Sequence, residues 1–150
     1  MNLLIVEDDS GVCEMLGRSL RKMSAHIDMA GSWQQMRLFL EQKDYQVLLL
    51  DLGLPDSSTD LTLSKIRFLK MEHPNMAICV ITGHPSHTKD GALKAGADDF
   101  VHKADLMRPP GLIQILSNLI SKMGSSSKKL TDQIKLADDA THHVIREMNE

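Results

Sequence analysis

Four short apolar runs in this 150-residue chain each end in residues suited to phosphate or metal. Leu3-Leu4-Ile5-Val6 leads into Glu7-Asp8-Asp9, Val47-Leu48-Leu49-Leu50 into Asp51, Ile78-Cys79-Val80-Ile81 into Thr82, and Phe100-Val101-His102 into Lys103. Asp8, Asp9 and Asp51 gathered at one edge would repel one another, and some would stay protonated unless a cation sat among them. A small set of hard oxygen ligands selects Mg2+, which often shares its shell with a phosphate and neutralises charge on a transferring phosphoryl group. Asp51 is then the natural nucleophile for an acyl phosphate. Thr82 can hydrogen-bond one phosphoryl oxygen, and Lys103 can set a point charge against another. Singly these features are ordinary, since acids after a strand commonly cap a helix. Their order on successive runs points to phosphoryl transfer onto a carboxylate.

The elements between these residues must bring them together. Leu3–Val6 reads as a buried strand, and Val12, Met15, Leu16, Leu20 and Met23 recur at helical spacing over Val12 to Met23. His26–Ala30 is a short strand with Ile27 and Met29 on one face. Ser32 caps a helix running to Gln42. Val47–Leu50 is uniformly apolar and therefore covered on both faces. A loop at 52–58 precedes a helix from Leu61 to Met71, and Pro74-Asn75 breaks it before a strand at Met76–Ile81. Gly83-His84-Pro85-Ser86 turns into a helix ending near Ala95 with Gly96 as its cap. Asp99–His102 is a fifth strand, and Pro109-Pro110 opens a last helix to about Met123. The alternation predicts an α/β, flavodoxin-like, doubly wound, five-stranded parallel sheet of order 2-1-3-4-5 with five helices. Ligands of such sheets bind beyond the carboxyl ends of the strands, at the switch point where the first loop meets Asp51.

The chain divides in sequence into residues 1–123 and a remainder, 124–150. Gly124-Ser125-Ser126-Ser127 has linker composition. Beyond it Leu130, Ile134, Ala137, Thr141, Val144 and Met148 form a heptad-like stripe, which suggests an amphipathic C-terminal helix for docking, dimerisation or a linker continuing into a longer chain. With 42% hydrophobic and 25% charged residues and a net charge of -3, nothing argues for nucleic-acid or membrane attraction. No basic n-region precedes the first strand, and Cys13 and Cys79 form no C-x-x-C pair. A cytoplasmic protein with reduced thiols is expected.

Glu7-Asp8-Asp9, Asp51-Leu52-Gly53-Leu54-Pro55, Ile81-Thr82-Gly83, Ala95-Gly96-Ala97-Asp98-Asp99-Phe100 and Lys103 together resemble a bacterial two-component response-regulator receiver domain of the CheY-like superfamily. The resemblance spans residues 1 to 123. It implies a signalling switch rather than a metabolic enzyme, catalysing only its own phosphorylation and slow dephosphorylation. Asp51 would take phosphate from a sensor histidine kinase or a small acyl-phosphate donor. Asp9, Asp51 and the Gly53 carbonyl would ligate Mg2+, with Asp8 acting through metal-bound water. Thr82 would move toward the phosphoryl group and Phe100 would swing inward behind it. That would alter the surface of the fourth helix, fifth strand and fifth helix for a downstream protein or output domain, with a homodimer possible.

Two departures from the family pattern stand out. Ala104 follows Lys103 where proline is usual, leaving a strained bond or a rebuilt loop, and the stretch Asp56-Ser57-Ser58-Thr59-Asp60 is unusually polar. His84, two beyond Thr82, could position water or merely face solvent, and His87 and His102 could belong to the signalling surface, though solvated positions are expected. A flavin carrier on the same fold would need hydroxyls and N–H groups in the first loop, where Glu7-Asp8-Asp9 stands instead. A phospho-independent interaction module is the remaining alternative, and the full set Asp8, Asp9, Asp51, Thr82 and Lys103 speaks against it.

Overall fold

The structure is a computed structural model describing residues 1–23, 25–106, 108 and 111–124. The chain divides into a unit of residues 1–120 and another of residues 121–150. The first contains β1 (Asn2–Val6), α1 (Ser10–Leu20), β2 (His26–Ala30), α2 (Trp33–Gln42), β3 (Val47–Asp51), α3 (Thr59–Glu72), β4 (Ala77–Thr82), α4 (Lys89–Lys94) and β5 (Asp99–His102). Residues 111–124 are helical and are termed α5. The strands are all parallel, in the order β2-β1-β3-β4-β5. This is the expected doubly wound architecture.

Both faces of the sheet are covered. Side chains alternate along a strand, so Leu4, Val6, Leu48, Leu50, Ile78, Val80 and Phe100 share one face. They form a single cluster with Met36 and Leu40 of α2, Ile66 and Leu69 of α3 and Ala92 of α4. Leu3, Ile5, Val47, Leu49, Cys79, Ile81 and Val101 alternate with them and are equally buried. Buried Leu16 and Leu20 of α1 and Leu112, Leu116 and Leu119 of α5 supply the opposite layer. Burial pushes the Cys79 thiol up to about 12, so it stays protonated and unreactive.

Caps fix where the helices begin. Ser32 accepts from Gln35 N–H at 3.1 Å, as its position predicted, and Asp56 reaches across to accept from Trp33 and Gln34 N–H at 2.8 and 3.0 Å. Those two bonds hold the Asp56 carboxyl below the usual carboxylate range and tie the loop after β3 to the start of α2. The polar stretch that follows is also used: Ser57 and Thr62 hydroxyls pair at 2.8 Å in a buried position, and Ser58 caps α3.

Several boundaries differ from the sequence reading, most by one or two residues. Helix α1 stops at Leu20, and Met23 N–H closes the next turn on Leu20 O at 3.0 Å. Helix α4 has six residues and starts at Lys89, because Thr88 is its N-cap and the residue before Pro85 is barred from helical backbone. Gly96 does follow α4, with φ +111, a backbone that suits glycine. Gly124, expected in a linker, is helical. Pro109-Pro110 and the amphipathic stripe from Leu130 lie outside the described residues.

Candidate functional site

The register of the sheet brings the strand ends together. Val6 pairs with Leu50, Asp51 with Ile81, and Thr82 with His102, so Glu7, Asp51, Thr82 and Lys103 emerge at one edge. Together with Asp8, Asp9, Gly53, Thr59, Gly83, His84 and His87 they line one open cleft. Glu7, Asp51 and Thr82 are 1%, 3% and 2% exposed. Such burial of two acids and a hydroxyl at a strand edge is a cost to the fold, and it marks this edge as built for chemistry.

Lys103 holds the two buried acids. Its Nζ lies 2.6 Å from Glu7 Oε2 and 3.2 Å from Asp51 Oδ2. The opposite oxygens are fixed by backbone: Asp9 N–H donates to Glu7 Oε1 at 3.0 Å, and Gly53 N–H to Asp51 Oδ1 at 3.2 Å. Burial alone would lower the Lys103 ammonium, but the Glu7 and Asp51 carboxylates outweigh it and hold its pKa above the usual lysine value. Glu7 moves the other way for an acid. Burial raises its pKa, Lys103 and the Asp9 N–H pull it down, and the Asp51 charge pushes it up again, leaving it above the ordinary 4.5. One ammonium thus serves two carboxylates.

That imbalance is the test of fit for a cation. Ligand atoms of Glu7, Asp8 and Asp51 all lie within 4.8 Å of one another. Among the described residues no hydrogen bond satisfies the buried Glu7 Oε2, which rests against the Lys103 charge. A hard, oxygen-seeking divalent cation answers both conditions, and the cluster suits divalent metal binding.

The geometry shifts the expected acid pair by one residue. Asp9 was expected among the metal ligands, but it is the N-cap of α1, and its Oδ1 accepts from Val12 N–H at 2.9 Å. Glu7 takes its place in the converging set. The signal was present in the sequence, because an Asp immediately before a helix and three residues ahead of its first apolar position is a capping pattern. Asp8, Asp51, Gly53, Thr82 and Lys103 stand together as expected.

A consequence follows for stability. Because the folded-state pKa of Glu7 is raised, this carboxyl holds its proton in the native state above pH 4.5, where the unfolded chain has lost it, so its contribution is greatest below that value and is lost as pH rises through the folded pKa. In chelator, Glu7→Gln should gain urea resistance relative to wild type as the pH rises from acid to neutral, because the wild-type carboxyl ionises there against its burial and the Asp51 charge. The two should converge on acidification. Parallel stability curves from acid to neutral pH would contradict this.

Thr82 and Phe100 are both enclosed. Thr82 Oγ is 2.6 Å from His87 Nδ1, and it accepts from His84 N–H at 3.2 Å. His87 is therefore half-buried against Thr82 and not simply solvated. Phe100 is 8% exposed and belongs to the core cluster, so its ring already lies inward, edge-on to His102 at 4.9 Å. Lys103 opens a 3-10 turn, Lys103–Asp105, closed by Leu106 N–H on Lys103 O at 3.2 Å, which is how the chain continues where Ala104 stands.

Comparisons with known proteins agree with this geometry. Residues 3–117 match the family of response regulator receiver domains. The chain is 33% identical over 101 residues to the response regulator protein PilR of Pseudomonas aeruginosa, covering 67% of the chain and 22% of PilR. It is 30% identical over 142 residues to the transcriptional regulatory protein PmrA of Pectobacterium parmentieri, covering 91% and 60% respectively. The chain thus spans less than two thirds of either relative. Among solved structures, a response regulator from Burkholderia pseudomallei, crystallised with a phosphorylated aspartic acid, calcium ion and citrate, superposes with a TM-score of 0.65 at 25% identity, over 85% of this chain and 71% of that one.

Proposed function

The chain belongs to the response regulator receiver domain family, and from that premise we propose that Asp51 is the phosphoacceptor of a two-component signalling switch. The observation that carries this is the shared ammonium: Lys103 bridges Glu7 and Asp51 in a buried edge that still carries surplus negative charge. An Asp51 carboxylate oxygen attacks the donor phosphorus, the new P–O bond forming as the bond to the donor's nitrogen or oxygen breaks. The donor is a phosphohistidine of a sensor kinase or a small acyl phosphate. Lys103 then pairs with one phosphoryl oxygen, and the Thr82 hydroxyl donates to another.

Asp8, Asp51 and the Gly53 carbonyl, with Glu7 in the role first assigned to Asp9, are the groups to hold Mg2+. When bound, the ion supplies charge neutralisation for the phosphoryl group being transferred. Asp9 serves the site indirectly, because its N–H fixes Glu7 and its side chain starts α1.

Phosphorylation adds roughly 1.5 to 2 negative charges at Asp51. Drawing Thr82 and Lys103 toward them moves the loop after β4 and the turn after β5. The change reaches α4, β5 and α5, where Lys89 of α4 already pairs with Asp99 of β5 at 3.2 Å. A downstream protein or an output domain would read that surface. Residues 124–150 would dock, pair with a second copy or lead into further chain.

The test is intact mass after incubation with Mg2+ and acetyl phosphate. A gain of one phosphoryl group, abolished by chelator, is expected. No gain from acetyl phosphate or from a cognate kinase would leave a phospho-independent interaction module. Gain unaffected by chelator would remove the metal from the account.

A further inference from the structure

We propose that His87 is a positioning residue that holds the Thr82 hydroxyl away from the phosphoryl site and releases it when its ring is protonated. The inference rests on Asp51 being the phosphoacceptor. A threonine hydroxyl has one proton to give. Here Thr82 Oγ accepts from His84 N–H at 3.2 Å and lies 2.6 Å from His87 Nδ1, so in the tautomer that carries the ring proton on Nε2 the Thr82 proton is given to the ring nitrogen. To donate to a phosphoryl oxygen, Thr82 must give up this bond. His87 therefore competes with the phosphoryl group for one proton.

A neutral ring with its own proton on Nε2 can accept at Nδ1; an imidazolium donates at both nitrogens and cannot. The surroundings favour the neutral ring at physiological pH. Burial lowers the His87 pKa, as do His84 in the same loop, 4.8 Å away between ring centroids, and His102 at the end of β5. Asp60 in the first turn of α3 and Asp51 at the end of β3 act in the opposite sense and are outweighed. Acidification releases the Thr82 proton and adds a positive charge to the cleft. Both effects favour the phosphorylated state.

Beryllofluoride, a phosphoryl mimic, provides the test in saturating Mg2+ with the full chain. His87→Phe removes the competing acceptor and should bind beryllofluoride about 2- to 10-fold more tightly than wild type near pH 7.5, the factor that one neutral hydrogen bond is worth. His87→Asn presents an amide oxygen near the position of Nδ1 and does not titrate, so it should match wild type there. On lowering the pH to about 5.5, wild type should tighten relative to both variants as its ring protonates. Any pH effect of the acidic cluster is common to all three proteins and cancels in the ratio. A shared pH profile with equal affinities would overturn the role of His87 while leaving the phosphoacceptor reading standing. Wild type that binds no beryllofluoride at either pH would remove both.

Discussion

Asp51→Asn should take up no phosphoryl group from acetyl phosphate under conditions that load wild type. The amide has no anionic oxygen to attack phosphorus, and among the described residues no other carboxylate is placed as Asp51 is, at the end of the central strand and touching Lys103. The loss is of chemistry rather than of fold. Asn keeps an oxygen to accept from Gly53 N–H, and removing one charge from a cluster of three relieves repulsion. Lys103 remains paired with Glu7. The variant should therefore be at least as resistant to urea as wild type in chelator. Residual loading at the wild-type level would move the acceptor to another residue.

Lys103→Met should have the largest effect on stability. It leaves Glu7 and Asp51 facing each other at one buried edge without their common cation. Breaking a buried ion pair from one side costs about 3–5 kcal/mol, and the low end applies because a quarter of the Lys103 side chain remains in water. The loss should shrink in two circumstances. Acid lets Glu7, whose pKa is already raised, become neutral, and Mg2+ replaces the missing charge. Urea denaturation at neutral pH, with and without Mg2+, reads both. A variant as stable as wild type in chelator would show that the ammonium is not what holds the two acids. Phosphoryl transfer should also slow, since one oxygen of the transferring group loses its cation.

The fold was legible because its signals are local. The strands at His26–Ala30 and Asp99–His102 and the Ser32 cap follow from apolar runs and one hydroxyl at a helix start. The strand-end residues were legible for the same reason: parallel order alone sends Asp51, Thr82 and Lys103 to one edge. Glu7 converges with Asp8 and Asp51 while Asp9 caps α1, and a run of three acids does not say which one turns inward. The answer lies in Asp9 being needed as a cap, with Glu7 left beside Ala30 and Lys103. His87 was hidden because its contact with Thr82 depends on how residues 83–88 loop before α4, and no periodicity describes that path. Asp56 closing onto α2 is of the same kind, a contact 22 and 23 residues away in sequence.

The central claim is that the phosphoryl group resides on Asp51. Borohydride reduces an aspartyl phosphate to homoserine, releasing phosphate, and peptide mass mapping then locates the altered residue. After loading with acetyl phosphate and Mg2+, the account predicts homoserine at position 51 and nowhere else. Reduction mapped to Glu7, Asp8 or any other acid, or none in a protein that had gained a phosphoryl group, would contradict it.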